Sequence, residues 1–360
     1  MRSLRSVLRD EKGAAIIMVA FALVMIFGFA ALAIDLSLVQ LAKTQLQNAA
    51  DAAALAGAMV LCDEGPDSAR AEAIRIAGLN VAIQDIQRPV IIPPDSVSVS
   101  GDYVRVVTLR TEATGDPITL YFMRVLDPLL ENKGEMTARA TARGCIPICG
   151  TDCLKPWCIP DRWNDTNGNK TWDPGELYDP YTTGYSIPRD IGVQVTLKPA
   201  SAEWQTNWYY PVRFPGYSGG DDYRDWIADC VDPSLIIHLG DQLDIEPGNM
   251  VGPTKQGLAD LMKKEPRTLR WDLALNTVVD NSTGQPVIDS PLIVKAAAFN
   301  PTTAGPKPHF VTVSKILVLF IEGYNNKGDI VGRFMRMATE GEPCPPGTPP
   351  GFLYTVRLVE

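Results

Sequence analysis

Residues 13–34, GAAIIMVAFALVMIFGFAALAI, form an uninterrupted apolar run with no charge inside it. At ~1.5 Å rise per residue, these 22 residues make roughly 33 Å of helix, enough to cross the ~30 Å hydrocarbon layer of a bilayer. Arg2, Arg5, Arg9 and Lys12 precede the run, against Asp10 and Glu11; after it come Asp35 and then only Lys43 before Asp51. Lys and Arg beside a span stay on the cytoplasmic side, so residues 1–12 are expected inside and about 325 residues outside. A cleaved secretory signal is the rival reading, because Ala31-Leu32-Ala33 is an acceptable small-residue cleavage site. The run is longer than the ~7–15 apolar residues of such a signal, which favours an anchor.

Beyond the span, residues 36–61 read LSLVQLAKTQLQNAADAAALAGAMVL, rich in Ala, Leu and Gln and free of Pro. Leu38, Leu41, Leu46, Ala49, Ala53 and Ala56 recur at near-helical spacing, with Lys43, Gln47, Asn48 and Asp51 filling much of the remainder. The pattern predicts one helix of about 48 residues, a transmembrane half at 13–34 and an amphipathic stalk at 35–62, whose small residues let another helix approach closely.

The stretch RDEKGAAIIMVAFALVMIFGFAALAIDLSLVQLAKTQLQNAADAAALAGA resembles the amino-terminal segment of the TadE/TadG-like proteins of tight-adherence (Flp) pilus assembly. Four features carry the likeness: Glu11-Lys12-Gly13, Ala33-Ile34-Asp35, Leu41-Ala42-Lys43 and the run from Gln47 to Ala56. Residues 104–143, with VRVVTLR, TLYFMRVL and MTARATARG, are similar to the strand-rich remainder of that family's first domain. The resemblance implies a single-pass protein of the bacterial inner membrane, its bulk periplasmic or extracellular. Its partners would be the lipid bilayer, other pilus-assembly or pilin-like helices, or copies of itself. Prepilin-type cleavage after Gly13 favours Glu five residues on; Met18 stands there, so no such cleavage is expected. The DxSxS metal motif of some relatives does not occur.

Net charge is −9 and the pI about 4.9, which argues against nucleic acid as a partner. With 29 Pro and 29 Gly in 360 residues, the exported part reads as loop-rich, and its length suits two modules. The seven cysteines are Cys62, the cluster Cys145, Cys149, Cys153 and Cys158, and the isolated Cys230 and Cys344. In an oxidising compartment six of them can close three bridges, with about fifteen pairings open. Zinc is the competing reading of the cluster, but its spacing lacks paired CxxC knuckles. Cys62 is the candidate odd thiol.

The expected fold class is α+β: the long helix, then strand-rich, loop-rich exported modules. A helix-plus-antiparallel-sheet module is expected over 63–144. It holds a helix capped by Asp67 or Ser68 and running to Ala82, strands at 96–100, 103–110, 118–122 and 136–143, and turns at Gly101-Asp102 and Gly115-Asp116-Pro117. A Cys-rich, strand-rich domain is expected over 145–360. Strands are expected there near 193–197, 235–239, 244–245, 293–297, 311–324, 330–337 and 353–359, with a short helix at 255–263 and a hairpin turn at 325–329.

The sharpest local motif is DTNGNKTWDPGE at 165–176. Counting Asp165 as position 1 puts Asn167 at 3, Asn169 at 5, Thr171 at 7, Asp173 at 9 and Glu176 at 12, the ligand spacing of an EF-hand-type calcium loop. Lys170 replaces the usual Gly at position 6, and only three carboxylates are present. Weak calcium binding, with Kd near ~10⁻⁴–10⁻³ M and a stapling role, is the expectation. The alternative is a turn that binds nothing.

Trp204, Trp208, Tyr209, Tyr210, Phe214 and Tyr217 crowd one segment, which is either a carbohydrate-binding face or core and loop packing. Gly216-Tyr217-Ser218-Gly219-Gly220 matches G-x-S-x-G formally, but Pro215 before it and Gly219-Gly220-Asp221-Asp222 after it suggest a loop rather than a nucleophile elbow. No HExxH, Walker or dinucleotide motif occurs, and both histidines, His238 and His309, read as packed side chains. The expected function is therefore non-enzymatic: a membrane-anchored envelope protein of Flp pilus assembly or a minor pilus-associated subunit. The alternatives are an adhesin or glycan-binding protein on the same anchor, and a secreted hydrolase.

Overall fold

The computed structural model describes residues 11–81, 89–114, 117–119, 133–169, 171–198, 209–303, 308–324 and 329–359. Arg2, Arg5 and Arg9, residues 120–122 of the expected strand, Lys170, Trp204, Trp208 and the turn at 325–328 lie outside them. The protein is α+β and divides into two units: unit 1 comprises Met1–Gly144 with Val356–Glu360, and unit 2 comprises Cys145–Thr355.

Unit 1 is organised on α1 (Glu11–Glu64), an unbroken helix of 54 residues. Its sequence carries no proline, and Ala, Leu, Met and Gln keep helix propensity high throughout. Ile16, Met18, Phe21, Val24, Phe27 and Phe29 all stand exposed, a surface that water does not favour and lipid does. This half is long and apolar enough to cross a membrane.

From Asp35 onward one face of α1 is buried, through Ala42, Leu46, Ala49, Ala50, Ala53, Ala54 and Ala58. A second helix, α2 (Pro66–Leu79), turns back along this face and buries Ala69, Ala73 and Ala77. The Gly65 turn, at φ 88°, followed by Pro66 in the first helical turn, opens α2; neither Asp67 nor Ser68 caps it. Gly57 is needed at the crossing, because a Cβ there would sit 3.0 Å from the Ala69 carbonyl oxygen and 3.1 Å from the Ala73 methyl. The helix that approaches the small-residue face is thus the chain's own α2.

The sheet of unit 1 covers the same alanines. β1 (Val97–Ser100) and β2 (Tyr103–Arg110) form a hairpin around Gly101, and β3 (Ile118–Thr119) pairs with β4 (Lys133–Gly134). β2 pairs with β5 (Met136–Thr151) from Tyr103↔Arg143 to Arg110↔Met136. Alternation sends Val104, Val106, Ala138, Ala140 and Ala142 into the helix-facing core. The buried Thr108 hydroxyl donates to the Leu46 carbonyl at 2.9 Å, and Gln47 Nε2 donates to the Arg139 carbonyl at 2.7 Å. At Gly144 a side chain would run into the Ala58 carbonyl.

In unit 2, five strands close a ring. β6 (Leu154–Pro160) pairs with β8 (Tyr210–Arg213), β8 with β10 (Gln242–Ile245), β10 with β14 (Phe310–Tyr324), β14 with β13 (Ile293–Phe299), and β13 in parallel with β6. β14 is long enough to continue past the ring and carry β15 (Ile330–Phe334), which in turn carries β7 (Gln194–Lys198). Leu154 and Cys158 of β6 join one core with Tyr210, Phe299 and Val313, whereas Trp157 and Ile159 join another with Phe320, Phe334 and Leu258. β6 is therefore apolar on both faces, as a central strand must be.

Helices α3 (Gly220–Ala228) and α4 (Val251–Lys263) pack through Gly257, where a Cβ would sit 2.6 Å from the Arg224 carbonyl. The first corrects the loop expected after Ser218. Gly219-Gly220-Asp221-Asp222 reads as coil by composition, yet Gly219 at φ 92° is the N-cap and the two aspartates sit in the first turn, where the helix dipole favours them. Helix α4 begins at Val251, four residues before the expected Lys255.

The remaining strands are short. β9 (Ile237–His238) and β17 (Glu342–Pro343) flank the C-terminal part of β5, β11 (Leu269–Asp272) and β12 (Thr277–Asp280) make a hairpin, and β16 (Met337–Ala338) pairs with the start of β18 (Leu353–Leu358).

Disulfides join Cys149 to Cys344 and Cys153 to Cys230, and Cys62 and Cys145 are also oxidised. The free thiol is Cys158, not Cys62. β-strand alternation points Cys158 into the ring's apolar core, and burial pushes its pKa well above the ordinary thiol value, which leaves it unreactive.

Candidate functional site

Two features carry the functional reading: the long helix and the acidic loop. Residues 165–176 are closed at the base by a backbone bridge between Asn164 and Leu177, the Asn164 amide donating to the Leu177 carbonyl at 3.0 Å. Inside, Asp165 Oδ1 accepts the Gly168 amide at 2.7 Å, Asn167 Oδ1 the Asn169 amide at 2.9 Å, and Asn169 Oδ1 the Thr171 amide at 2.7 Å. These side-chain turns wind the loop and leave a lone pair on each oxygen.

Asp173 Oδ2 accepts Nδ2 of both Asn167 and Asn169, at 2.8 and 2.7 Å. Glu176 is turned onto the loop itself: Oε1 accepts the Thr166 amide at 2.9 Å, while Oε2 accepts the Trp163 indole at 2.9 Å and the Asp173 amide at 3.1 Å. All six candidate ligands, Asp165, Asn167, Asn169, Thr171, Asp173 and Glu176, thus belong to one wound loop, in which side-chain oxygens of Asp165, Asn167, Asn169, Asp173 and Glu176 each accept at least one hydrogen bond from the loop or its approach. Among the described residues no group of three His, Cys, Asp or Glu side chains is gathered tightly enough to form a metal cage. Hard oxygen donors in this order fit calcium by type, provided that Glu176 gives up Trp163 and Thr166.

The loop stands on a buried polar base that sequence reasoning missed. Asp161 is fully buried and accepts the Tyr178 hydroxyl at 3.0 Å, the Tyr185 amide at 2.7 Å and the Arg162 amide at 2.9 Å, with Lys315 Nζ 3.3 Å away. Burial raises the Asp161 carboxyl's pKa, and Lys315 opposes that rise. Lys315 also donates to the carbonyls of Pro180 and Tyr185. Asp190 binds Arg162 and Arg189 at 2.9 Å each. A buried charge pair needs this many partners to offset its desolvation, and the only trace of it in sequence is charge beside aromatic residues.

The aromatic segment is core where it is described. Tyr209, Tyr210 and Phe214 are buried, Phe214 lies 4.5 Å from Trp226 between ring centroids, and Tyr217 is 5.4 Å from the same ring. Ser218 donates its amide to Asp222 at 2.8 Å at the start of α3. His238 is held by Glu342 at 2.9 Å and lies 3.6 Å from Asp241.

Against this geometry, the helix is the part with known counterparts. Residues 13–60 match the TadE/G-like Flp pilus-assembly family. The TadE/G-like segment coincides with most of α1, the exposed apolar half and the alanine-faced half together. It supports involvement in Flp pilus assembly. No curated protein and no solved structure matches the chain.

Proposed function

We propose that the protein is a non-enzymatic envelope component of tight-adherence pilus assembly, or a minor pilus-associated subunit, anchored in the inner membrane by residues 13–34 with the N-terminus cytoplasmic. The supporting observation is that the TadE/G-like match falls on a single helix, apolar and exposed where a bilayer would surround it and packed into a folded unit where it would emerge. The basic residues before the span support the orientation. In a deletion strain, expression of the whole chain is expected to restore Flp pili by electron microscopy. A chain with Phe21 and Val24 changed to Asp is expected to fail, because a charge at the centre of a span costs ~2.5–3.5 kcal/mol. Pili in the deletion strain itself would overturn the reading.

Within the same proposal, the 165–176 loop binds calcium and staples the head. At a calcium concentration ten times Kd, the stabilisation is about 1.4 kcal/mol. Calcium is expected to raise the melting temperature of the wild type and to shift Trp163 emission as Glu176 releases the indole. Glu176→Gln should abolish both effects, and an unchanged melting curve in millimolar calcium would remove the metal from the proposal.

A further inference from the structure

Unit 2 holds a groove that neither the helix nor the acidic loop uses. Its volume is about 640 Å³, within the ~300–1,000 Å³ typical of small-ligand sites. Strand β11 and the residues leading into it form one wall, and β14 and β15 contribute the other. Met262 and Leu273, both exposed, supply apolar surface, over a floor of the buried Trp271, Leu292 and Phe320.

Three guanidinium groups stand around this surface, each already matched. Arg267 binds Glu265 through Nε at 2.7 Å and Nη2 at 3.0 Å, and Asp289 through Nη1 at 2.9 Å. Arg270 binds Asp272 at 2.9 Å. Arg333 grips Glu322 at 2.9 and 3.3 Å, donates to the Gly192 carbonyl at 2.7 Å and lies 5.9 Å from the Trp271 ring centre.

This pairing decides the ligand class. No guanidinium is in surplus, so an anion would have to displace a carboxylate already held in place. No carboxylate is bare, so a cation meets the same obstacle. What the groove presents is a set of fixed donors beside fixed acceptors, with apolar patches between them. Hydroxyl groups suit this rim, since each donates to a carboxylate and accepts from a guanidinium, and the C–H face of a pyranose suits the exposed Met262 and Leu273. The groups that rim the groove are charged side chains, each matched to a partner, which hydroxyl groups can meet one by one; an extended peptide would pair instead through backbone amides and is set against the sugars in the test. We propose that this groove binds a neutral saccharide. The proposal does not depend on the pilus-assembly reading.

The full chain, purified in a polyoxyethylene detergent free of sugar headgroups, would be titrated with tri-N-acetylchitotriose, maltotriose and cellotriose by calorimetry and saturation-transfer NMR. Inorganic phosphate and an apolar hexapeptide serve as the anion and peptide arms. At least one trisaccharide is expected to saturate, and Glu322→Gln, which keeps the side chain's size, should weaken it about tenfold. Arg270→Ala, a change on the exposed edge of the hairpin, is expected to weaken it similarly with an unchanged melting temperature, and covers the case in which the first variant unfolds. Saturation by none of the three sugars, equal affinity in the variants, or saturation by phosphate or the peptide alone would each overturn the proposal.

Discussion

Unit 1 and unit 2 are held together by different means. In unit 1 the buried surface is mostly alanine: eight or more methyl-sized side chains of α1 and α2 lie against Val104, Val106 and the alternate alanines of β5. In unit 2 the cores are built from Trp157, Tyr210, Phe299, Phe320 and Phe334, two disulfides close long loops, and charges such as Asp161 and Glu265 are buried with partners. A helix-on-sheet contact made of alanines gains its stability from close approach and has no slack for larger groups. A loop-rich module cannot pack so evenly and relies on cross-links and paired charges instead. The first should therefore fail by overfilling, the second by losing a tie.

The chain offers separate reporters for the two. All seven tryptophans, residues 157 to 271, lie in unit 2, whereas α1 and α2 dominate the helix content. The largest effect is expected from Cys153→Ala with Cys230→Ala, which opens a loop of 77 residues and should cost unit 2 about 4 kcal/mol. Tryptophan emission in a denaturant titration should shift to lower midpoint while the helical signal keeps its own. If the helical signal moves by the same amount, the two units unfold as one and the contrast is lost.

The second effect belongs to unit 1. Gly144→Val forces a side chain into the Ala58 carbonyl, and Gly57→Leu does the same against Ala69 and Ala73; each is expected to cost about 3 kcal/mol. Helical circular dichroism should be lost earlier in denaturant, with the tryptophan transition unchanged. Tolerance of both substitutions would mean that α1 packs less closely on α2 and β5 than Gly57 and Gly144 imply.

The same contrast explains how much the sequence discloses. In unit 1 periodicity does the work: alanines on one helical face and alternate residues on two strands each have one place to go, so α1, β1, β2 and the start of β5 are legible. The strands of unit 2 are legible too, because Val, Ile and Phe alternate or run together at 293–299 and 310–324. The closing of the ring is not, since it depends on β10 reaching both β8 and β14 across long loops. Helix α3 is hidden behind Gly219 and Gly220, and the oxidised state of Cys62 rather than Cys158 follows from which residue the strand turns inward. The ligand order of the 165–176 loop is plain in its spacing, but not that Trp163 and Thr166 would already occupy Glu176.

The smallest expected effect tests whether unit 2 depends on paired charge even at its surface. His238 is hydrogen-bonded to Glu342 on β17, and that bond is the chief reason its pKa lies above the ordinary value; partial burial opposes it, and Asp241 adds to the rise. The imidazolium is therefore favoured in the folded state. Its contribution is complete below the unfolded value of ~6.5 and is lost as pH rises through the higher folded value. The midpoint of the tryptophan transition should fall slightly across that window in the wild type. With 41% of the side chain exposed to solvent, the increment is small and screened by salt. His238→Gln keeps a hydrogen bond to Glu342 but cannot titrate, so it should flatten the profile without lowering stability at pH 8. A slope that persists in the variant would assign the pH dependence to another group and leave the disulfides and buried pairs as the ties that matter.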